Sequence, residues 1–277
     1  MKNQWIYDVG MHTGEDTGYY LDLGYNVLAV EASPDLVETG RKKFEQHIKS
    51  GRLEILNLGL SDKEDELTFY LNKNNSVWNS FDLSIASRSG SEVKEVRIKT
   101  TTLDKLIETH KQPHYIKIDI EGNDIHCLWA LQHTKKHPKY ISAEVNGPEV
   151  IEAVATLGYT KFKLIHQASM LPLDIGIDKY FRQYLRLKYF RTTMNPFVRI
   201  ARKLFRNPIE KILMSYKKRL FKYDHSYGSS GPFGEKTPGE WKSYEEVMNI
   251  YNFHRDRHRG SEFDRGYNFW VDVHATK

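Results

Sequence analysis

The residues that most clearly indicate chemistry surround a glycine turn near the start of the chain. An apolar run, Trp5–Val9, leads into the turn Gly10–Gly14, and a second apolar run, Val27–Val30, ends in Glu31. This order is typical of a strand-turn-helix-strand unit that binds a nucleoside. Glycines allow the backbone to approach the ligand, and the acid accepts hydrogen bonds from ribose hydroxyls. The pattern therefore predicts a nucleoside-binding site.

The spacing of the glycines narrows the choice of nucleoside. A dinucleotide fingerprint needs Gly-x-Gly-x-x-Gly to seat a pyrophosphate on a helix N-terminus, whereas this turn reads Gly10-x-x-x-Gly14 with His12 inside it. Asp8 precedes the turn, and a carboxylate there would repel a pyrophosphate but suits the amino group of S-adenosylmethionine (SAM). We expect a SAM site and disfavour a nicotinamide site. The alternative is an ordinary turn that contains glycines for its backbone geometry alone.

A second group of polar residues follows two later apolar runs. Asp119 and Glu121 end one run, which also contains Lys117, and Glu144 and Asn146 end the next. In open α/β sheets ligands bind at the carboxyl ends of the strands. We therefore expect these side chains to converge on one region. The alternative for each is a capping role or an ion pair, and Lys117 beside a carboxylate would be such a pair.

The elements that must position these residues alternate between strand-like and helix-like patterns over residues 1–166, which indicates a mostly parallel sheet flanked by helices. We predict strands near 4–9, 27–31, 53–57, 115–120, 139–145 and 160–166, with extra strands at 67–71 and 96–99. We predict helices near 16–23, 35–48, 102–110, 123–133 and 148–157. The polar stretch 72–92 is predicted to be a loop.

The rest of the chain departs from this pattern and returns to it at the end. Residues 268–273 are predicted to form a final strand, so residues 167–266 are expected to be a long insertion before it, and such insertions are usually binding elements. The expected domains are a SAM-binding core (1–166), a basic helical lid that binds the acceptor (167–266) and a final strand that returns to the core (267–277).

The predicted insertion contains a strongly basic segment, residues 179–222. It holds fourteen basic residues and one acid, a charge of +13, whereas the remainder of the chain is −8 and the total is +5. Two amphipathic helices are predicted there. Three interpretations remain open: helices packed on the body with solvated charges, contact with an acidic substrate or nucleic acid, and attachment to an anionic membrane surface.

Two further features of the insertion carry expectations. The turn-rich stretch Ser229–Gly239 is either a flexible linker or, as Phe233 favours, a structured loop near the active site. His254 and His258 are four residues apart, but the helix lacks the glutamate of a zinc hydrolase. We expect a solvated helix face there and predict no zinc site.

Bulk properties exclude several classes of protein. No run of about 18 apolar residues is present, which argues against a membrane span. The first predicted strand begins by Trp5, which leaves no room for a signal peptide. Cys127 is the only cysteine, so disulfides are not expected and a cytoplasmic location fits. Cys127 lies in an apolar pattern and is expected to be a buried thiol.

The motifs together resemble the FkbM family of SAM-dependent methyltransferases over residues 5–166. The resemblance rests on Asp8–Gly14, Glu31, the turn Leu60-Ser61-Asp62, Thr101-Thr102-Leu103-Asp104 and Lys117-Ile118-Asp119-Ile120-Glu121-Gly122. It implies a Rossmann-like class I methyltransferase fold. It also implies O-methylation of a hydroxyl on a sugar, glycoside or secondary metabolite.

Site residues follow from the resemblance position by position. Asp8, Gly10 and Gly14 would line the methionine part of SAM, Glu31 would bind the ribose, and the turn at Leu60 and Ser61 would lie near the adenine. Asp119 would lie near the amino-acid end or the acceptor. The full set expected to bind the cofactor is Asp8, Gly10, His12, Thr13, Gly14, Glu31, Ala32, Leu60, Ser61 and Asp119. His12 replaces a more usual Asn-like residue, which leaves its contact open.

Methyl transfer to a hydroxyl is an in-line displacement that benefits from a general base. Asp119 is the first candidate for that base, followed by Glu144, Glu121 and His166. With a vicinal diol as acceptor, Asp119, Glu144 and Asn146 could instead hold Mg²⁺ through oxygen ligands. Otherwise no metal is predicted.

The expected partner is a small-molecule or glycan acceptor, with nucleic acid disfavoured and peripheral contact through residues 179–222 left open. A second class of function also stays open: a protein with a SAM-binding fold whose basic helices engage nucleic acid or an anionic membrane. The intact Asp8, Glu31 and Asp119 argue against an inactive site.

Overall fold

The computed structural model describes residues 2–167, 170–174, 223, 225, 229–260 and 270–277, together with two isolated helical positions, Phe197 and Ile200. The chain forms two compact units. The first contains Met1–Thr160 with His274–Lys277, and the second contains Lys161–Val273.

The strands and helices of the first unit alternate along the chain. The strands are β1 (Trp5–Val9), β2 (Asn26–Glu31), β3 (Leu53–Asn57), β4 (Gly59–Leu60), β5 (Asp65–Asn72), β6 (Val93–Thr101), β7 (Pro113–Ile118) and β8 (Tyr140–Glu144). The helices are α1 (Glu15–Asp22), α2 (Pro34–Lys43), α3 (Glu45–Lys49), α4 (Leu83–Ala86), α5 (Leu103–Thr109), α6 (Asp124–Ala130) and α7 (Pro148–Thr156). The predicted strands of this unit are confirmed, as are its predicted helices other than the one over 35–48, with shifts at their ends.

Five strands of the first unit form a parallel sheet in the order β8-β7-β1-β2-β3. The inner strands are buried on both faces and are therefore almost continuously apolar, as in Val27–Val30, whereas β3 exposes Glu54 and Asn57. The chain runs outward from β1 to β3 and then resumes on the other side of β1 with β7. This reversal makes the gap beyond the carboxyl ends of β1 and β7 the topological switch point, where ligands bind in such sheets.

The predicted helix 35–48 is divided into α2 and α3 at Phe44. The Phe44 backbone has φ −110° and ψ 22°, which is not helical, and its side chain is buried. A Cβ added to Gly14 would lie 2.5 Å from the Phe44 ring. The break therefore brings the Phe44 ring against the glycine turn, which the helical periodicity of the segment does not reveal.

A second, three-stranded sheet has the order β4-β6-β5, with β5 and β6 antiparallel. Phe69, Leu71 and Ile98 form its buried cluster, and Phe81 and Ala32 pack against it. The two extra strands predicted at 67–71 and 96–99 are confirmed and are longer than predicted. The connection between them is more ordered than a loop: it contains α4 and short 3-10 turns at Ser76–Trp78 and Arg88–Gly90.

The second unit contains β9 (Lys161–His166), β10 (Leu171–Pro172), the first half of β11 (Val271–Thr276) and α8 (Tyr244–Gly260). Its strand order is β10-β9-β11, with β9 and β10 antiparallel. The final strand is confirmed, but it covers 271–276 and not 268–273. The last residues of β11 belong to the first unit, where Thr276 Oγ1 donates to the Lys139 carbonyl oxygen at 3.0 Å.

The stretch Ser229–Gly239 is a structured loop and not a flexible linker. Ser229, Phe233 and Thr237 are buried in it, and the Lys163 ammonium donates to the Thr237 carbonyl oxygen at 2.7 Å. Its predicted proximity to the active site stays a prediction.

The interpretation of His254 as part of a solvated face is wrong. The side chain is buried, and its Nε2 donates to the Asp174 carbonyl oxygen at 2.9 Å. The side chain of His258 lies outside the described part of the chain.

The two predicted basic helices of 179–222 lie outside the described residues, apart from Phe197 and Ile200, which are helical and exposed. The predicted domain boundaries at 166 and 267 therefore stay predictions. None of the helices that the structure describes is long and apolar enough to cross a membrane.

Candidate active site

The glycine turn lies at the switch point and is shaped by close backbone contacts. The backbone N–H groups of Gly10 and Met11 donate to the Val30 carbonyl oxygen at 2.9 and 3.1 Å. Gly10 has φ 85°, and a Cβ there would lie 1.8 Å from the Asp119 carbonyl oxygen. Gly10 is therefore required where the turns after β1 and β7 touch. Gly14, at φ 78°, starts α1 in a left-handed conformation.

Beneath this turn lies a buried group of one cation and three carboxylates. The Lys117 ammonium is 3.3 Å from Asp8 Oδ1, 3.9 Å from Asp16 Oδ2 and 3.7 Å from Asp119 Oδ2. It also donates to the Gly10 carbonyl oxygen at 3.0 Å. The ion pair considered for Lys117 is thus confirmed, and it links the buried charges to the glycine turn.

The charges of this group perturb one another. Burial raises the pKa of Asp8, and Lys117 opposes that shift. Burial alone would lower the pKa of Lys117, but Asp8, Asp119 and Asp16 hold it well above its usual range. Lys117 therefore stays charged. The three carboxylates outnumber it, so the group favours a ligand that carries positive charge.

Asp8, which was predicted to line the cofactor, lies beneath the glycine turn and not at its open edge. Its side chain is fully buried, its Oδ2 accepts from Thr17 Oγ1 at 2.6 Å, and its Oδ1 faces Lys117. Asp119 keeps part of its side chain exposed, at 18 %. Asp119 is therefore the acid of this group that reaches the open edge of the sheet, whereas Asp8 supports the turn from below.

Glu31, at the carboxyl end of β2, is held by two backbone donors. His12 N donates to Glu31 Oε2 at 2.9 Å, and Ser33 N donates to Oε1 at 2.8 Å. Burial raises the pKa of Glu31, and these two donors oppose the shift. Each carboxylate oxygen keeps acceptor capacity for a hydroxyl. Glu31 is therefore oriented as a ribose-binding acid would be.

His12 occupies the middle of the turn at φ 52°, a left-handed conformation that is uncommon for residues other than glycine. Its Nε2 forms a hydrogen bond with Ser76 Oγ at 2.8 Å. Burial lowers the pKa of His12. The next residue, Thr13, donates from its hydroxyl to Glu15 Oε1, and its carbonyl oxygen accepts from the Lys43 ammonium at 2.8 Å.

Leu60 and Ser61, the predicted adenine turn, are buried at the end of β4. Ser61 N donates to the Thr101 carbonyl oxygen at 3.0 Å. The Asn123 side-chain amide donates to the Leu60 carbonyl oxygen at 3.2 Å. This last contact ties the predicted adenine turn to the loop that follows β7.

The three predicted catalytic acids, Asp119, Glu121 and Glu144, lie close together. One oxygen atom from each lies within 4.8 Å of the others. The proximity arises because β7 and β8 are neighbours in the sheet, with Ile118 paired to Ala143. Burial, followed by the charge of Asp119, raises the pKa of Glu121 to about 7. A carboxylate in this region can therefore exchange a proton near neutral pH.

Sequence reasoning missed several residues that build this region. Asp16 and Thr17 join the buried charges from α1. Ser80 and Arg88 contact Glu121 from the connection between β5 and β6, which was predicted to be a loop. Asp16 could have been identified from the sequence, because it is an acid two residues after the glycine turn. Ser80 and Arg88 carry none, because their role depends on a contact distant in sequence.

The order of the parallel strands, the glycine turn at the switch point and the acid at the end of β2 define a Rossmann-like class I methyltransferase fold. The domain described as Methyltransferase FkbM domain matches residues 8–182. The chain belongs to this family of SAM-dependent methyltransferases.

Comparison with solved structures found similar proteins at low identity. A methyltransferase FkbM from Methylobacillus flagellatus KT is 14 % identical with a TM-score of 0.41; the alignment covers 59 % of this chain and 40 % of that one. A precorrin-6y C5,15-methyltransferase from Geobacter metallireducens GS-15 is 9 % identical with a TM-score of 0.35, covering 62 % and 74 %. An rRNA methylase from Streptococcus thermophilus is 9 % identical with a TM-score of 0.35, covering 59 % and 77 %.

The chain therefore spans less than half the length of the first of these proteins. Similarities of this size carry no information about the acceptor. Comparison with curated proteins found no significant match.

The residues present fit SAM as methyl donor. Gly10 and Gly14 keep the turn in a path that a side chain would block by overlap with the Asp119 carbonyl oxygen or the Phe44 ring, and Glu31 presents an oriented carboxylate beside it. The excess of buried carboxylates over Lys117 suits a ligand with a sulfonium and an ammonium group.

Proposed function

We propose that the protein transfers a methyl group from SAM to a hydroxyl of a sugar, glycoside or secondary metabolite. The proposal rests on three groups that lie at one edge of the sheet. They are the glycine turn, Glu31 and the cluster of Asp119, Glu121 and Glu144, which we call the acidic cluster. SAM supplies a methyl group bonded to a positively charged sulfur, which is its own leaving group. The protein then has two tasks: to align donor and acceptor, and to accept the acceptor's proton.

Alignment accounts for most of the expected rate enhancement, since oriented reactants gain about 7–11 kcal/mol over free ones. In the proposal Glu31 accepts hydrogen bonds from the ribose hydroxyls, because its own orientation is already held by His12 N and Ser33 N. Asp8 acts through Lys117 and the turn, as its buried carboxylate faces them. Asp119 faces the methionine end of SAM.

In the proposal the acceptor's proton passes to a carboxylate of the cluster formed by Asp119, Glu121 and Glu144. A positioned base contributes about 10²–10⁴ in rate. Support for a hydroxyl acceptor comes from this cluster, because a hydroxyl must lose its proton as the methyl–oxygen bond forms.

The first test is calorimetric titration of the wild-type protein and Glu31→Gln with SAM, S-adenosylhomocysteine and NAD. The substitution removes a charged acceptor of the ribose hydroxyls, and such hydrogen bonds contribute about 1.5–3 kcal/mol. We expect SAM affinity to fall roughly 10- to 150-fold. Glu38→Gln, at an exposed carboxylate on α2 that pairs with Lys42, is the matched control and should keep wild-type affinity.

Thermal unfolding of each variant separates loss of binding from loss of structure. Binding of NAD without binding of SAM by the wild-type protein would overturn the proposal. Methyl transfer from isotopically labelled SAM to a panel of sugars and glycosides tests the acceptor class. A product methylated on nitrogen, carbon or sulfur would contradict O-methylation.

A further inference from the structure

The connection between β5 and β6 reaches both halves of the candidate site. We call residues Ser76–Arg88 the rim segment. At one end Ser76 Oγ forms a hydrogen bond with His12 Nε2 at 2.8 Å. Further along, Ser80 Oγ donates to the Glu121 carbonyl oxygen at 2.7 Å, and Arg88 lies 3.5 Å from Glu121 Oε2. The rim segment therefore contacts the glycine turn and the acidic cluster.

The part of the acidic cluster that it contacts has an unusual backbone. Glu121 has φ 48° and Gly122 has φ 110°. A left-handed conformation is uncommon and unfavourable for a glutamate, so it persists only where the surroundings hold it. Asp124 provides one support, since its carboxylate accepts from Ile120 N at 3.2 Å and Gly122 N at 3.3 Å.

The rim segment provides the other support. Ser80 is buried and holds the Glu121 carbonyl group. Ile85, on α4, lies against Gly122, where an added Cβ would be 2.7 Å from its Cδ1. These contacts determine the direction in which the Glu121 side chain leaves the turn. That direction brings its carboxylate to Asp119 and Glu144.

The charges around Glu121 come from three elements besides its own turn. Asp119 precedes Glu121 in its own turn, Asp124 begins α6, Glu144 ends β8, and Arg88 ends the rim segment. The Asp119 carboxylate lies 3.7 Å from the buried Lys117 ammonium and so belongs to the buried ion group; burial raises its pKa, and Lys117 opposes that shift. Glu121 pairs instead with Arg88, whose side chain is 47 % exposed and largely hydrated.

We propose that Glu121 is the base that accepts the acceptor's proton, and that Ser80 and Arg88 are positioning residues for it. This inference rests on the proposed function. In the step, the acceptor oxygen forms a bond to the SAM methyl carbon. The carbon–sulfur bond breaks with its electron pair passing to sulfur, and the hydroxyl proton passes to the Glu121 carboxylate.

Arg88 supplies the discriminating test because its guanidinium lies at the Glu121 carboxylate itself, where its charge and a hydrogen bond of 3.5 Å act on that group. Burial raises the pKa of Glu121, whereas Arg88 lowers it. Arg88→Met should therefore move the pKa of Glu121 upward, by roughly 0.2–0.7 pH units for a partly exposed pair. Arg97→Met is the matched control. Arg97 is an exposed arginine on β6, and it pairs with Glu66 on β5 and not with Glu121.

Two readouts follow the same group. Carbon-13 NMR of the glutamate carboxyl carbons titrates Glu121 directly, with its signal assigned by its absence from Glu121→Gln. Release of S-adenosylhomocysteine with methyl glycosides as acceptors gives the pH dependence of kcat/KM. We expect the NMR midpoint and the acidic limb of the rate to move upward together in Arg88→Met and to stay in place in Arg97→Met.

Glu121→Gln should lower kcat by about 10²–10⁴ while SAM affinity stays within twofold of wild type. A Glu121 that titrates near its ordinary pKa would overturn the inference. So would full activity in Glu121→Gln, or loss of the acidic limb in Glu144→Gln alone. Failure of the wild-type protein to bind SAM would instead defeat the proposed function, which distinguishes the two.

Discussion

The buried ammonium of Lys117 is the group whose loss should most disturb the first unit. It is almost fully buried and lies 3.3–3.9 Å from carboxylate oxygens of Asp8, Asp16 and Asp119. Lys117→Met keeps most of the side-chain volume but removes the charge and the hydrogen bond to the Gly10 carbonyl oxygen. The substitution therefore leaves buried carboxylates without their cation.

The expected loss of stability follows from that imbalance. Removing one partner of a buried ion pair costs about 3–5 kcal/mol, because the remaining charge has no compensation. For a protein of this size each kcal/mol lowers Tm by roughly 2–4 °C, so Tm should fall by about 6–20 °C. Lys42→Met, on an exposed pair with Glu38, is the control and should leave Tm close to the wild-type value, because exposed ion pairs contribute little to stability.

The pH dependence of the loss has a definite sign. Burial raises the pKa of Asp8 and Lys117 lowers it, so removal of Lys117 should raise the pKa of Asp8 further in the folded protein. A carboxyl group whose pKa is higher in the folded state binds its proton more tightly there. The stability of Lys117→Met should therefore recover as the pH falls from 8 towards 5.

The assay is urea and thermal unfolding followed by circular dichroism at pH 8 and pH 5, with the double variant Asp8→Asn/Lys117→Met included. Removing both charges should restore part of the lost stability, since one of the three uncompensated carboxylates is then gone. A loss below about 1 kcal/mol in Lys117→Met at pH 8 would refute the reasoning. A double variant less stable than Lys117→Met would refute it as well.

Two further predictions concern the turns after β1 and β7. Gly10→Ala should destabilise the protein by about 2–5 kcal/mol in urea unfolding, because the new Cβ overlaps the Asp119 carbonyl oxygen and the backbone must keep φ 85°. The control Gly51→Ala has a similar φ of 72° but nothing within 4 Å, so it should cost only about 1–2 kcal/mol. Equal losses in the two variants would contradict the steric argument. Burial and then Asp119 raise the pKa of Asp124 to about 6, so its contribution to stability falls as the pH rises from about 4 through 6. Asp124→Asn should remove about 3 kcal/mol of that decline between pH 4 and 7, and an unchanged slope of stability against pH would show that Asp124 is not the group responsible.

Much of the fold could be predicted because it depends on local signals. Apolar runs such as Val27–Val30 indicate buried parallel strands, and the glycines of Gly10–Gly14 indicate a turn with left-handed backbone. The failures arise where a contact distant in sequence overrides a local signal. The helix predicted for 35–48 breaks at Phe44 because a tertiary contact with the glycine turn outweighs helical periodicity.

The sequence predicted which acids belong to the candidate site but not which residues of the rim segment contact them. The acids Asp119, Glu121 and Glu144 could be named from their positions after predicted strands, because carboxyl ends of parallel strands share one edge of a sheet. The rim segment could not, since the contact between Ser80 and Glu121 joins residues 41 positions apart through a second sheet.

The amino-acid sequence by itself therefore determined the family, the order of elements and the identity of the acids at the sheet edge. These depend on residue types and short spacings, which act within a few residues along the chain. Only the tertiary structure decided that Asp8 faces Lys117 beneath the turn and that Glu121 is held by the rim segment. Burial and charge at those positions arise from residues far apart in sequence, and they exist only once the strands and the connection between β5 and β6 have come together.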